Sequence, residues 1–409
     1  MLLNSMKVVS FCHVLQGPAC TQYLADMGAQ VIKIEPLQGE RARRAMSVNM
    51  GGLAGLYITA FRNKRLFAVD LKSPDGIEIV LRLIDEADVV FENYRHGVMD
   101  RLGLGYEAIK ARKPDIIYAS GTGWGSKGPM LERESQDLII QGRTGMMSAT
   151  GHDRQHPKSV GSAIIDQHAG TLAAMGIIAA YVRKLTTGQG TRVESSLFAA
   201  GFDLQTEPLT FFMTTRPGTQ VIDRDPHLST WYHLAPYGIY QLRDAPMVIS
   251  TSPMPKFADA LDSDELRAMQ ELDRYENRDE FARVFAEVLS TRTYAEVASA
   301  FAAHDIWFGP VHDFDDVADD PQVEALEVFR KTEVNGRPVV LVNHPIRYDG
   351  QVPDLRIKAY AVGEHTREIL TEQGYTPAQI DDLFARRIVT GPSSSNVPAV
   401  PQAAAAGSA

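Results

Sequence analysis

The chain predicts an α/β fold: a large Rossmann-like domain built on a parallel sheet, accompanied by a smaller α/β domain. Three observations lead there. Up to Ser120, short and nearly all-apolar runs alternate with segments of helical period, the pattern of parallel strands covered on both faces. The 409 residues exceed what one hydrophobic core usually supports, which points to two domains. The composition, 44% hydrophobic and 22% charged with 32 Gly and 22 Pro, excludes collagenous, coiled-coil and wholly disordered classes.

Each element follows from its local pattern. Met6–His13 is an apolar run suited to a buried strand. Gly17–Met27 reads as a helix, with Pro18 in its first turn and Gly28 past its end. Val31–Glu35 is a second strand and Leu66–Leu71 a third. Ser73 stands in the capping position of a helix opened by Pro74 and running to Glu86. Asp88–Asn93 is a fourth strand, Tyr106–Lys113 a short helix and Asp115–Ser120 a fifth strand. Beyond Thr150 the pattern changes. Ala169–Leu185 is a long apolar helix, and Thr191–Phe202 is a strand passing into helix.

Residues 204–230, with Pro208, Pro217 and Pro226 and little periodicity, read as a linker. Strands at Tyr237–Leu242 and Met247–Ser250 then accompany helices at Asp264–Tyr275, Asp279–Ser290 and Thr293–His304. Strands Phe329–Val334 and Val339–Val342 and helices Thr366–Gln373 and Pro377–Arg387 follow. The expected organisation is a large domain over 1–203, completed by 331–387, a linker over 204–230 and a small domain over 231–330. Residues 388–409 hold no charged side chain and are rich in Ala, Ser and Pro, the composition of a disordered tail.

Lys and Arg number 41 against 51 Asp and Glu, a formal net charge of -10. With no long basic run, nucleic acid and anionic membrane are not expected partners. An anionic small molecule stays open, because a local Arg/Lys cluster can dominate a pocket. The two cysteines, Cys12 and Cys20, are too few for a disulfide framework. The opening MLLNSMKVVS is not a secretory leader, and the most apolar stretch, Ala169–Val182, is shorter than the roughly 20 residues of a membrane span. The expectation is a soluble protein of the reducing cytoplasm.

Several familiar chemistries lack their residues. The first strand, Gly17 and Glu35 mimic a dinucleotide-binding unit, but no second or third glycine arrives in register. The lysine-bearing phosphate loop of ATP-using enzymes is absent too. His152 and His156 sit in a polar loop, GHDRQHPKS, better suited to solvent than to a metal, so no metal is expected. Cys20, near a helix start with His13 close in sequence, reads either as an activated thiolate or, more commonly for a free cysteine, as a small buried hydrophobe.

Three stretches together resemble the family III CoA-transferases, the group that includes carnitine and formyl-CoA transferases. They are HVLQGPACTQYLADMGAQVIKIEP (His13–Pro36), NKRLFAVDLKSPDG with DVVFENYRHGVMDRLGLGY (Asn63–Gly76 and Asp88–Tyr106), and SVGSAIIDQHAGTLAAMGIIAAYVRKLTTGQGTRVESSLFAA (Ser159–Ala200). GEHTREIL (Gly363–Leu370) matches as well. The resemblance implies an interlocked, ring-like homodimer acting on an acyl-CoA and a small carboxylic acid, with CoA as substrate and no separate cofactor.

Carried over residue by residue, the resemblance makes Asp166 in IIDQHAG the nucleophile. It makes the Asp70-Leu71-Lys72 turn and the Asn93-Tyr94 pair coenzyme contacts, Arg101 in MDRLG a phosphate contact, and Val14-Leu15-Gln16 a loop beside the reacting centre. Read from the residues alone, Asp166 ahead of a helix is equally a capping residue. Arg101 and Lys72 are equally solvated charges, and Asn93 a turn former. The chemistry is coherent: transfer between acids conserves thioester energy, and a carboxylate parks the acyl group as an anhydride. The tetrahedral oxyanions then call for backbone N–H groups at a helix start.

Departures from the family pattern narrow the expectation. The superfamily's α-methylacyl-CoA racemases, the alternative reading, carry a GHD motif where this chain has Ser135-Gln136-Asp137, and the Gln136 amide is no base. The literal Gly151-His152-Asp153 comes later, in the polar loop. Asp137 matches the acidic position of transferases, which orients the reacting groups, although a charged loop (LERESQD) also suits a surface acid. The formyl-CoA branch has a glycine run where this chain has His227–Tyr237 without one, so oxalate specificity is not expected. Pro36 replaces that branch's coenzyme-contacting arginine, leaving Arg41, Arg43 or Arg44 as the cations at hand. The expected pair is succinyl-CoA or a similar thioester with a dicarboxylate acceptor.

Overall fold

A computed structural model describes residues 1–44, 49–50, 52–215, 222–358 and 360–392. Its central feature is a seven-stranded, mostly parallel sheet. The elements that build it are β1 (Lys7–Phe11), α1 (Gln16–Asp26), β2 (Gln30–Glu35), β3 (Lys64–Val69), α2 (Pro74–Asp85) and β4 (Val89–Glu92). They continue with α3 (Val98–Arg101), α4 (Tyr106–Arg112), β5 (Ile117–Thr122), α5 (Asp137–Arg143), α6 (Ile164–Thr187) and β6 (Thr191–Ser196). The strand order is Val389–Thr390, β3, β2, β1, β4, β5, β6, parallel except at Val389–Thr390.

Alternation of side chains sends the residues of each strand to both faces of the sheet, so the inner strands are largely apolar, whereas β6 at the edge (TRVESS) is polar and only partly buried. Val9, Phe11, Phe67 and Val90 pack on one face with Ile79 and Leu83 of α2. Val8, Val31, Val89 and Phe91 pack on the other with Leu24 of α1 and Ala173 and Ile177 of α6. Both faces of the inner strands are therefore dry, as a parallel sheet covered by helices requires.

The described residues divide into two compact units, one within 1–137, 163–200 and 322–392, the other within 138–162 and 201–321. Residues 138–162 thus belong with the second unit, although the sequence pattern groups them with the first. The second unit holds a three-stranded antiparallel sheet, Gly238–Gln241, Pro246–Ile249 and Phe308–Pro310, around Phe257, Phe281, Phe285 and Phe301. Within it, Thr293 and Glu296 cap the helix Tyr294–Ala303 reciprocally.

Three expectations need correction. The linker contains a helix, Thr206–Thr215, whose Pro208 sits in the first turn, where a missing N–H costs no hydrogen bond; positions 216–221 of that linker lie outside the described residues. The helix expected over Asp264–Tyr275 ends at Ala268. The expected tail begins too early, because Val389–Thr390 pairs antiparallel with Ala68 and Val69 of β3, and Asp70 donates to the Ile388 carbonyl. That edge pairing is long-range and leaves no mark in local composition. Positions 393–409 of the tail lie outside the described residues. Ser73 occupies the N-cap of α2, but its side chain makes no capping bond. Among the described residues no helix is long and apolar enough to cross a membrane.

Candidate active site

From β1 the chain builds β2 and β3 to one side and β4, β5 and β6 to the other, so the order reverses between β1 and β4. In open α/β sheets ligands bind beyond the carboxyl ends of the strands at such a point. Here the loop after β1 is tied to the residue after β4. His13 donates its N–H to Asn93 Oδ1 at 2.8 Å, and Asn93 Nδ2 donates to the His13 carbonyl at 3.0 Å. The His13 ring stacks on Tyr94 at 5.2 Å, and burial lowers its pKa. Glu92, raised by burial, accepts the Tyr94 N–H at 2.9 Å.

Next in the loop, Val14 has φ 63, left-handed backbone that costs a β-branched residue about 1–3 kcal/mol. Leu15 and Gln16 turn back into the interior. The Gln16 amide lies against Gly121 at the end of β5, where a Cβ would stand 3.1 Å away, and its buried Nε2 has no hydrogen-bond partner.

The long helix α6 begins at Ile164, five residues earlier than its apolar run implies. Asp166 is therefore inside its first turn, and Ala163 holds the N-cap without a side-chain bond. The cap comes from elsewhere in the chain. Asp137, which opens α5, accepts the N–H groups of Ile165 at 2.7 Å and Asp166 at 2.9 Å through one carboxylate oxygen. Asp137 is buried, so the surface-acid alternative falls, and so does the capping reading of Asp166. Burial, and then the neighbouring Asp137 carboxylate, push Asp166 up to about 7.

Gly170, one turn after Asp166, shares its helix face. A Cβ there would stand 2.8 Å from the Gln16 carbonyl and 3.0 Å from Ala19 Cβ. This close approach packs the Asp166 end of α6 against the first turn of α1. Gly121 and Gly170 are residues that the strand-and-helix pattern passed over, although a glycine inside an apolar helix is itself a signal of close approach.

The remaining sequence-derived residues are spread along the same edge. Asp70-Leu71-Lys72 forms a turn after β3, with Asp70 Oδ1 accepting the Lys72 N–H at 2.9 Å. It lies two strands from β1, about 10 Å by strand spacing. Arg101 is exposed at the end of α3, its guanidinium folded over Gly97. The spare arginines separate. Arg43 is buried in a forked ion pair with Glu35 (3.0 and 3.1 Å) and stacked 4.3 Å from Tyr57, so it is committed to the fold, whereas Arg41 and Arg44 are exposed. The thiolate reading of Cys20 falls as well: it is fully buried and its pKa is pushed well up, as that of Cys12 is to about 12.

This edge, with glycine-lined close contacts and a half-buried carboxylate of raised pKa at a topological switch point, has the features of an α/β enzyme's active site. The chain matches the profile of CoA-transferase family III over residues 3–366, and it belongs to that family of transferases. It is 29% identical to the succinate–glutarate CoA-transferase of Agrobacterium fabrum over 395 residues, covering 90% of this chain and 95% of that one. It is 27% identical to the human succinyl-CoA:glutarate CoA-transferase, covering 95% and 90%. Among solved structures, a CaiB/BaiF family protein from Brucella suis superposes with a TM-score of 0.75 at 28% identity, covering 90% of this chain and 98% of that one.

Proposed function

We propose that this CoA-transferase moves CoA from succinyl-CoA or a similar short thioester to a small dicarboxylic acid, with Asp166 as covalent nucleophile. The carrying observation is Asp166 itself: a half-buried carboxylate in the first turn of α6, raised to about 7 beside Asp137. The relatives named for succinate, succinyl-CoA and glutarate support the substrate class.

The steps balance without ATP, metal or a separate cofactor. The Asp166 carboxylate attacks the thioester carbonyl and expels CoA thiolate, leaving a mixed anhydride. The thiolate attacks the aspartyl carbonyl, releasing the donor acid and leaving an aspartyl-CoA thioester. The acceptor carboxylate attacks that thioester and frees the thiolate again. Attack of the thiolate on the acceptor's acyl carbonyl completes acceptor-CoA and restores Asp166. We assign the buried, unpartnered Gln16 Nε2 as a donor to a tetrahedral oxyanion; the N–H groups of Ile165 and Asp166 are engaged by Asp137.

In this reading Asp137 orients Asp166, while Val14, Leu15, Asp70, Leu71, Lys72, Tyr94 and Arg101 line the coenzyme's path and Asn93, its amide engaged by the His13 backbone, stands beside it. The working form is a cytoplasmic, interlocked homodimer whose large domain carries the coenzyme. The test is intact-protein mass spectrometry after incubation with succinyl-CoA. A hydroxylamine-sensitive mass gain of succinyl or CoA, absent in Asp166→Ala, is the expected outcome. No adduct, together with solvent deuterium entering a 2-methylacyl-CoA, assigns the racemase reaction instead.

A further inference from the structure

The resemblance makes Asn93 a coenzyme contact, yet both ends of its side-chain amide are engaged by the backbone of a single residue, His13. Immediately after that anchor the chain enters the left-handed region at Val14, whose side chain is 50% exposed, so burial does not compensate its strain. Immediately beyond, the chain is anchored again: Leu15 and Gln16 are buried, and a Cβ at Gly17 would stand 2.5 Å from Cys12 Cβ. A strained residue persists only where its surroundings over-determine it. Here the two anchors meet at Val14. What they deliver is the Gln16 amide, held under Gly121 with its Nε2 unpartnered, on the helix end that packs against the strip carrying Asp166 and Gly170.

We infer that the Asn93 side chain is a positioning residue: its two-way clamp on His13 drives Val14 left-handed and so aims the Gln16 Nε2 at the reacting carbonyl oxygen. This rests on the proposed site at Asp166 and adds to it the device that holds the loop. An amide that only bound coenzyme would not need both its donor and its acceptor on the backbone of one residue. A valine that only closed a turn would be replaced without loss by a residue at ease there.

The test has a structural and a kinetic arm on Asn93→Ala, with thermal melting to confirm folding and Asn93→Asp, which keeps the acceptor for the His13 N–H, as the conservative variant. In a crystal structure of free Asn93→Ala, Val14 is expected to leave the left-handed region. If φ stays near +63 without the clamp, the inference is wrong. With succinyl-CoA and glutarate, kcat is expected to fall on the order of 10- to 100-fold while KM for the thioester stays within about threefold. Asn93→Asp is expected to retain more of kcat. Adding Val14→Gly, which makes the left-handed turn inexpensive, is expected to restore part of kcat in the Asn93→Ala background. A rise in KM with kcat intact makes Asn93 a coenzyme ligand, and failure of the glycine to rescue removes Val14 from the device; either overturns the inference. An active Asp166→Ala would sink the proposed mechanism instead, and the Val14 geometry of Asn93→Ala would still decide the clamp.

Discussion

Asp26 and Asp166 are carboxylates of the same compact unit, yet the chain treats them in opposite ways. Asp26, at the end of α1, receives Arg62 through Nε and Nη2 (2.7 Å at the shortest) and Asn63 Nδ2 at 2.7 Å, with His344 3.6 Å away. Burial works to raise its pKa, but these partners outweigh burial and hold it below the ordinary carboxylate range. Asp166 is raised by burial and meets another carboxylate instead of a cation. A buried acid with its partners supplied is part of the scaffold; one deprived of them is poised to react.

Removing each side chain sharpens the contrast most. Asp166→Asn is expected to lower CoA transfer by about three orders of magnitude or more, with the melting temperature unchanged or raised. Asp26→Ala is expected to do the reverse, costing about 3–5 kcal/mol in denaturant unfolding because Arg62 is left buried without its partner. If Asp26→Ala melts like the wild type, the contrast breaks.

Stability against pH separates the two acids next. Asp26 adds stability that is fully present above the pKa of an unfolded aspartate and is lost as pH falls through its depressed folded value. Asp166 does the opposite: between about 4, where an unfolded aspartate ionises, and about 7 the unfolded chain carries the charge and the folded one does not, so its penalty accumulates as pH rises. Asp166→Asn is therefore expected to gain stability over the wild type across that window, read by melting at a series of pH values. The rate of CoA transfer is expected to decline below about pH 7, as the nucleophile takes up its proton.

Asp137→Asn tests the second cause of the raised pKa. An amide oxygen still accepts the Ile165 and Asp166 N–H groups, but the negative charge is gone, so the acid limb of the pH–rate profile is expected to move to lower pH. An unmoved limb would leave burial as the whole cause. The smallest effect belongs to an exposed pair, Arg112 with Asp85 at 2.6 Å, where solvent screens the charges. Arg112→Ala is expected to change unfolding free energy by no more than about 1 kcal/mol.

Much of this was legible in the residues. The apolar runs placed β1 to β5, and Pro18, Gly28 and Pro74 marked helix ends, because buried parallel strands are nearly all apolar and helix termini have few solutions. The resemblance pointed to Asp166, but the local pattern placed it ahead of a helix instead of within one. Gln167 and His168 hid the first turn, and the residue that caps it, Asp137, lies 29 positions away. The sequence also left Arg41, Arg43 and Arg44 equivalent, whereas burial against Glu35 and Tyr57 removes Arg43 from the set.

What the sequence determined by itself was therefore whatever rests on short-range pattern: the fold class, the strand runs, the absence of a dinucleotide fingerprint, and the family motifs around Asp166. What only the tertiary structure decided was environment. It set the partners of Asp26, the isolation of Asp166, the clamp of Asn93 on His13 across 80 positions, and the sheet edge closed by Val389–Thr390. The physical reason is that a side chain's charge state and orientation depend on which distant groups share its desolvated volume, and chain closure, not local preference, chooses those groups.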